Sequence, residues 1–172
     1  MIRDARPADD AARVAEIYDH YVAHDTATFE TALVSADEMW ARIEAVQGRG
    51  LPYLVIERDD AVAGYAYAAP FRDRAAYRHT LEATVYLAPE ARGAGLGIAV
   101  YAELLDRLRG LSGSEHAPVR SVMAVIALPH PGSVALHERL GFRHVGTVAD
   151  AGFKFDRWID VGYWQLLLTD PT

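Results

Sequence analysis

The stretch that decides the fold of this chain is Val85-Tyr86-Leu87-Ala88-Pro89-Glu90-Ala91-Arg92-Gly93-Ala94-Gly95-Leu96-Gly97. It begins as an apolar strand, passes through a glycine-rich loop and enters a helix. Three glycines at alternate positions let the backbone approach an anion closely, and the N–H groups at the start of the helix can point toward it. Arg92 adds a positive charge there. The stretch therefore predicts a diphosphate-binding loop, and the alternative is a glycine-rich turn that binds no ligand.

Two other phosphate-binding loops have different patterns. The dinucleotide fingerprint has glycines at its first, third and sixth positions and an acidic residue about 20 residues later. A Walker loop needs Gly-Lys-Ser or Gly-Lys-Thr at the helix start, where this chain has Leu96-Gly97-Ile98. The spacing excludes both.

Composition predicts one globular domain over residues 1–172, with 51% hydrophobic and 24% charged residues. A formal charge of -7 disfavours nucleic acid and anionic membranes as partners and favours a small molecule. The chain has no cysteine, which excludes a disulfide framework and a catalytic thiol, and we predict no metal site. The sequence has no signal peptide and no membrane-spanning apolar run, so we expect a cytoplasmic protein.

Hydrophobic periodicity predicts a mixed α/β domain around one sheet. Ser35 with Glu38 forms a capping box, and the tyrosines of the first helix are interpreted as core residues. The predicted strands are 1–6, 53–57, 61–69, 80–87, 121–128, 141–148 and 161–168, and the predicted helices are 7–24, 35–48, 98–109 and a short one that Ser133 caps and that ends at Leu140.

Residues 80–87 form the predicted central strand. Alternation places Leu81, Ala83 and Val85 on one face and Glu82 on the other. The loop before it has three arginines, Arg72, Arg74 and Arg78, in an otherwise acidic protein. The alternative for this loop is an ordinary solvated surface.

The hexad Arg92-Gly93-Ala94-Gly95-Leu96-Gly97 resembles the acetyl-CoA loop of the GNAT N-acetyltransferases. Residues 133–142, Ser-Val-Ala-Leu-His-Glu-Arg-Leu-Gly-Phe, resemble the second motif of that family. Residues 80–87, 136–138, 152–155 and 158–165 are similar to the phosphinothricin and methionine sulfone or sulfoximine acetyltransferases. This similarity spans nearly the whole chain.

The resemblance implies a GNAT-type, mostly antiparallel sheet with helices on both faces and a central strand that splays from its neighbour. Acetyl-CoA is the implied acetyl donor. Its pantetheine arm would lie along Val85, Tyr86 and Leu87, pairing with backbone groups of the first and last. The implied diphosphate and neighbouring contacts are Arg92, Gly93, Ala94, Gly95, Leu96, Gly97, Ile98 and Ser133. His130 stands where many relatives have Asn, so that contact is open.

The chemistry requires a base, because an amine attacks a thioester only as the neutral species. Glu82 is the candidate, directly or through a water, and its alternative role is a structural ion pair with an arginine. His137 occupies the place where many GNAT enzymes have a Tyr that protonates the departing thiolate. Its alternative role is packing.

The three loop arginines suit an acceptor with a carboxylate and a phosphinate or sulfone oxygen, because guanidinium groups bind such oxyanions in a bidentate manner. Phe29, Tyr77 and Lys154 are expected to complete the acceptor pocket. The predicted function is acetylation of the α-amine of a small amino-acid-like compound by a homodimer. Two alternatives stay open: an acetyltransferase acting on a protein N-terminus or a polyamine, and a non-catalytic acyl-CoA sensor.

Overall fold

The computed structural model describes residues 1–111 and 118–168. These residues form seven strands and four α-helices. The strands are β1 (Ile2–Asp4), β2 (Tyr53–Arg58), β3 (Ala61–Pro70), β4 (Thr80–Leu87), β5 (Ser121–Leu128), β6 (Arg143–Lys154) and β7 (Arg157–Leu167), and the helices are α1 (Pro7–His24), α2 (Ala36–Gln47), α3 (Leu96–Gly110) and α4 (Pro131–Arg139).

Local signals explain where the first two helices begin. Pro7 is the first residue of α1, where its missing N–H costs nothing, and Asp9 and Asp10 lie in the first turn near the positive end of the helix dipole. Ser35 caps α2, and its Oγ accepts a hydrogen bond of 3.1 Å from the backbone N–H of Glu38. Both helices therefore begin where the sequence predicts.

The strands form one sheet in the order β1-β2-β3-β4-β5-β7-β6. In the described part of the chain only β4 and β5 are parallel neighbours, and their pairing ends at Glu82 and Met123. Beyond that pair the two strands separate, although β4 continues to Leu87 and β5 to Leu128. The predicted fold, a mostly antiparallel sheet with a splayed central pair, is confirmed.

Two apolar cores cover the two faces of the sheet. One packs α1 and α2 against residues such as Tyr53, Tyr65 and Tyr86, and the other packs α3 against residues such as Leu81, Ala83 and Val122. Alternate side chains of a strand enter opposite cores. Glu82 and Thr84 therefore share the α1 face with Tyr86.

Three predicted boundaries are wrong. Helix α4 begins at Pro131, and its N-cap is His130, whose Nδ1 accepts a 3.1 Å hydrogen bond from the Ser133 N–H; Ser133 therefore lies inside the first turn. Strand β6 runs on to Lys154, and β7 begins at Arg157. The tight turn between them has Phe155 and Asp156 at φ 53° and 56°, a primed hairpin turn without the usual glycine.

Among the helices in the described ranges, none combines the length and the apolar character that crossing a membrane requires.

Candidate active site

A cavity of about 710 Å³ occupies the gap between β4 and β5. It is lined from the α3 and α4 side by Gly97, Ser133 and Leu136, and from the α1 side by Thr28 and Glu82. The cavity therefore reaches both faces of the sheet through the splay. A ligand lying in it can extend from the glycine loop to the Glu82 carboxylate.

The glycine loop has the backbone geometry that an anion site needs. Gly93 and Gly95 have φ values of 79° and 77°, in the left-handed region that favours glycine, and Gly95 caps α3 without a side chain. A Cβ on Gly97 would lie 2.9 Å from Leu136 Cδ1, so a side chain there would fill the space between the helix start and α4. The N–H groups at the start of α3 are thus accessible to a diphosphate, and the residues fit the predicted cofactor.

Five of the predicted loop residues, Arg92, Gly93, Gly95, Gly97 and Ile98, line the cavity. Ala94 and Leu96 are not among its described lining residues. Leu96 instead packs against both apolar cores. The two cofactor contacts predicted at the start of α4, His130 and Ser133, both line the cavity.

The β4 edge facing the gap is partly occupied by two tyrosine hydroxyls. Tyr101 Oη lies 3.3 Å from the carbonyl oxygen of Ala83, and Tyr21 Oη donates at 2.7 Å to the carbonyl of Leu87 and accepts at 3.2 Å from its N–H. Residues of a strand direct their backbone groups alternately to either side. Val85 lies between these two residues on the same side, facing the cavity that it lines. Tyr86 also lines the cavity, and its hydroxyl donates to the Ala27 carbonyl at 3.1 Å.

Glu82 is the last β4 residue paired with β5 and lines the cavity at that point. Its side chain is half-buried. Burial raises the pKa of the carboxyl, and the charge of Arg72 lowers it by less. A carboxylate with a raised pKa at the end of a cavity is suited to accept a proton.

His137 lies buried in α4 with both ring nitrogens engaged. Nδ1 lies 2.7 Å from the Ser133 carbonyl, which only accepts hydrogen bonds, so Nδ1 is protonated. Nε2 lies 3.1 Å from Tyr101 Oη. Burial lowers the pKa of the imidazole. The neutral ring therefore has Nε2 as an acceptor, and the Tyr101 hydroxyl shares its one proton between Nε2 and the Ala83 carbonyl.

Phe29 lines the α1 side of the cavity and packs against Gly152 of β6. A Cβ at Gly152 would overlap the Phe29 ring, so only glycine leaves room for it there. Phe29 is still 40% exposed. The ring therefore forms an open edge of the cavity next to the β6–β7 hairpin.

The arginine loop does not converge on the cavity. Arg72, Arg74, Tyr77 and Arg78 are all exposed, and none is among the described lining residues. Arg72 donates to the Phe71 carbonyl at 2.8 Å and stacks on its ring at 4.1 Å, and Arg78 lies 3.4 Å from the Ala75 carbonyl. The loop is close enough to Glu82 for the charge of Arg72 to act on the carboxyl.

Lys154 is buried, and its Nζ donates to three backbone carbonyls: Tyr21 at 3.2 Å, Asp25 at 2.7 Å and Thr28 at 2.9 Å. Burial lowers the pKa of this ammonium group. Lys154 is not among the described residues that line the cavity. Its contacts hold the end of α1 and the segment after it, so it supports the cavity wall from behind.

The cavity also has lining residues that sequence reasoning missed, among them Tyr21, Thr28, Tyr67, Thr84 and Arg139. Pairing β3 with β4 would have found two of them, because Tyr67 stands opposite Thr84 on the face of Glu82. The prediction that Tyr21 is a core residue is confirmed, but its spacing in α1 has no signal that separates a core tyrosine from one whose hydroxyl also reaches a strand edge.

The chain matches the family model described as acetyltransferase (GNAT) domain over residues 2–162. It is 42% identical over 166 residues to a phosphinothricin N-acetyltransferase of Alcaligenes faecalis, covering 96% of this chain and 79% of that one. It is 37% identical over 169 residues to the L-methionine sulfoximine/L-methionine sulfone acetyltransferase of Salmonella typhimurium, covering 98% and 95%.

A solved structure agrees with the fold. The GNAT superfamily phosphinothricin acetyltransferase of Sinorhizobium meliloti, in complex with AcCoA, superposes with a TM-score of 0.91 at 42% identity, covering 100% of this chain and 92% of that one. The predicted family, enzyme class and acetyl donor are thereby confirmed. This chain belongs to the GNAT acetyltransferase family and is an acetyl-CoA-dependent N-acetyltransferase.

Proposed function

We propose that this protein acetylates the α-amine of a small amino-acid-like acceptor such as phosphinothricin, methionine sulfone or methionine sulfoximine. The relatives described above have these acceptors in their names. The observation that most supports the proposal is the Glu82 carboxyl, with its raised pKa, at the end of the cavity that begins at the glycine loop. A base at this point meets the amine next to the acetyl thioester that acetyl-CoA supplies.

Glu82 is the proposed general base. The α-amine of an amino acid is mostly protonated at neutral pH, so a proton must leave the nitrogen before it attacks. The raised pKa of Glu82 lies closer to the pKa of the acceptor ammonium group than the pKa of an exposed carboxyl does. Proton transfer from the ammonium group to Glu82 is therefore less unfavourable. The nitrogen then bonds to the acetyl carbon while the carbon–sulfur bond breaks, and the departing sulfur takes up a proton.

His137 is proposed to act through Tyr101 rather than as a direct acid. Its protonated Nδ1 donates a hydrogen bond to the Ser133 carbonyl, and its Nε2 lies within hydrogen-bond distance of the Tyr101 hydroxyl. In this role His137 fixes the position of Tyr101, whose hydroxyl also lies 3.3 Å from the Ala83 carbonyl. His137 is then a positioning residue for the segment of β4 that follows Glu82.

The arginine loop is proposed to bind the acidic groups of the acceptor. Arg72, Arg74 and Arg78 are exposed, and Arg72 is near enough to lower the pKa of Glu82. Three guanidinium groups repel polyamines, which supports an anionic acceptor. Because the cavity is open at Phe29, an acceptor that enters there can reach Glu82.

The test is an acetyl-CoA consumption assay against a panel of amines that contains phosphinothricin, methionine sulfone, methionine sulfoximine, spermidine and a peptide with a free N-terminus. We expect turnover with the first three and little with spermidine. Turnover of the polyamine or the peptide alone would refute the acceptor class. Binding of acetyl-CoA without turnover of any amine would identify the sensor instead.

We further propose that the protein is a homodimer whose partner covers the β6–β7 hairpin. Phe153, Phe155 and Trp158 are 55%, 50% and 64% exposed at its tip, and they form an aromatic patch. Such patches mark association surfaces. Gly152 places this patch beside Phe29 at the open edge of the cavity, so a second copy there would help to close the acceptor pocket.

Light scattering tests this proposal. We expect the wild-type protein to have the mass of a dimer and Trp158→Glu to have the mass of a monomer. The control is Trp40→Glu, which changes a tryptophan of α2 that is 44% exposed, and it should stay dimeric. A monomeric wild-type protein at working concentration would contradict the proposal. The cytoplasmic location stays a prediction.

A further inference from the structure

We propose that Lys154 is a positioning residue for the acceptor, and that it acts through one wall of the cavity without contacting the acceptor itself. This wall consists of residues 26–29, all of which line the cavity on its α1 side, and we call it the acceptor wall. The inference rests on the proposed function. It gives Lys154 a different role from the direct place in the acceptor pocket that the sequence predicted.

The acceptor wall is held by side chains of other elements. The chain between α1 and α2 forms neither helix nor strand, so its buried backbone groups need partners from elsewhere. The Ala27 carbonyl accepts a hydrogen bond of 3.1 Å from the Tyr86 hydroxyl of β4. On either side of it, the carbonyls of Asp25 and Thr28 accept from Lys154 Nζ at 2.7 Å and 2.9 Å. The position of the wall therefore depends on β4 and on Lys154 of β6.

Lys154 uses its whole donor capacity in these contacts. An ammonium group has three N–H donors, and Nζ lies within hydrogen-bond distance of three carbonyls, the third being that of Tyr21 at 3.2 Å. The residue is 5% exposed. Of the 17 lysine and arginine residues of the chain it is the one lysine. A compact ammonium can direct three donors at carbonyls around one point, whereas a planar guanidinium cannot.

Strand β6 also holds the wall at a second point. Gly152 lies two residues before Lys154, so both face the same side of the strand. A Cβ on Gly152 would overlap the Phe29 ring, so this ring packs directly on the β6 backbone. Without the ammonium, the Asp25 and Thr28 carbonyls lose this donor, and the wall must shift to satisfy them. Such a shift changes the width of the cavity where the acceptor enters.

The cofactor end depends on other contacts. The glycine loop takes its shape from Gly93 and Gly95 at positive φ. Helix α3 packs on the opposite face of the sheet from α1, whose end Lys154 holds. Removal of the ammonium should therefore weaken acceptor binding and leave CoA binding unchanged.

Steady-state kinetics of Lys154→Met tests this role, because methionine keeps the length of the side chain and removes the three donors. We expect the KM for methionine sulfone to rise about tenfold and kcat to change by less than about threefold. Calorimetry should give a Kd for CoA within about twofold of the wild-type value. The matched control is Arg143→Met, which removes an exposed positive charge at the other end of β6 and should leave all three values unchanged.

A second acceptor separates positioning from direct contact. The carboxamide of methionine sulfone lacks the carboxylate, so a direct ion pair with Lys154 would make the substitution raise the KM of the acid but not that of the amide. We expect the same factor for both acceptors. In a Phe29→Ala background the effect of Lys154→Met on the acceptor KM should be smaller, because the wall no longer presents its ring.

Lys154→Gln keeps two N–H donors, and it replaces Lys154→Met if that variant does not fold. We expect a smaller rise in the acceptor KM from it. An unchanged acceptor KM in the folded variant would overturn the role of Lys154, as would an effect confined to the acid or an equal loss of CoA affinity. If the wild-type protein acetylates neither acceptor, the proposed function is refuted and this role with it.

Discussion

The two ends of the cavity are formed by different chemical groups, backbone at one end and side chains at the other. The cofactor end consists of backbone groups: the loop glycines at positive φ, the start of α3 and the open edge of β4. The proposed acceptor end consists of side chains, and the arginines proposed to serve it are exposed. A backbone site is complete as soon as the chain folds, whereas a side-chain site on a loop depends on what else covers it. Substitutions at the cofactor end should therefore change acetyl-CoA affinity, and substitutions at the acceptor end should change kcat or the acceptor KM.

The largest effect is expected from Gly95→Asp. Gly95 has φ 77° and caps α3, so a side chain there is strained, and a carboxylate at the helix start repels the diphosphate. We expect CoA binding to be abolished in calorimetry. The control is Gly110→Asp, at the other end of α3 with open space for a Cβ, which should bind normally. Unchanged affinity in a folded Gly95→Asp protein would remove the basis for the loop site.

The next effect is expected from Glu82→Gln, which keeps the shape of the side chain and removes the proposed base. We expect kcat to fall about 100-fold or more, with a smaller change in the acceptor KM. The control is Glu103→Gln, a change in a surface ion pair with Arg107. A near-normal kcat would place the base elsewhere, and His137 Nε2, acting through the Tyr101 hydroxyl, would become the first candidate.

The pH profile sharpens this prediction. Because burial raises the pKa of Glu82, its carboxylate is lost as pH falls through a value above that of an ordinary Glu, about 4.3. We therefore expect the wild-type kcat/KM to decline on the acid side within that raised range. The Glu82→Gln variant should lack this acid-side decline due to Glu82. Its residual rate should rise with pH as more of the acceptor amine becomes neutral.

The smallest of these effects is expected from Arg74→Ala. In the proposed acceptor site it would remove a charge-assisted contact of about 1.5 to 3 kcal/mol, and we expect a raised acceptor KM while acetyl-CoA affinity stays constant. The control is Arg58→Ala, an exposed arginine near Asp59 in the turn after β2. Steady-state kinetics with both substrates measures the KM for each. A change in acetyl-CoA affinity in Arg74→Ala would contradict the assignment of the arginine loop to the acceptor end.

The sequence predicted the elements whose signals are local. Ser35, Pro7 and the alternation along Thr80–Leu87 each act within a few residues, and the structure confirms all three. The prediction was wrong for β6 and β7, where most of β6 is exposed and so lacks a clear apolar alternation. Its turn at Phe155 and Asp156 adopts positive φ without glycine, so composition did not predict it.

For the site, the sequence alone determined the glycine loop, because the absence of side chains at Gly93, Gly95 and Gly97 is itself the feature that admits an anion. It also determined the face of Glu82, since a strand alternates with a fixed period of two. Only the tertiary structure decided what the tyrosine hydroxyls do. Tyr21 reaches Leu87 across 66 positions of the chain, and Tyr101 meets His137 across 36. Such contacts depend on how helices lie on the sheet, and Lys154 illustrates the same physical reason: three carbonyls more than 100 residues away enclose it.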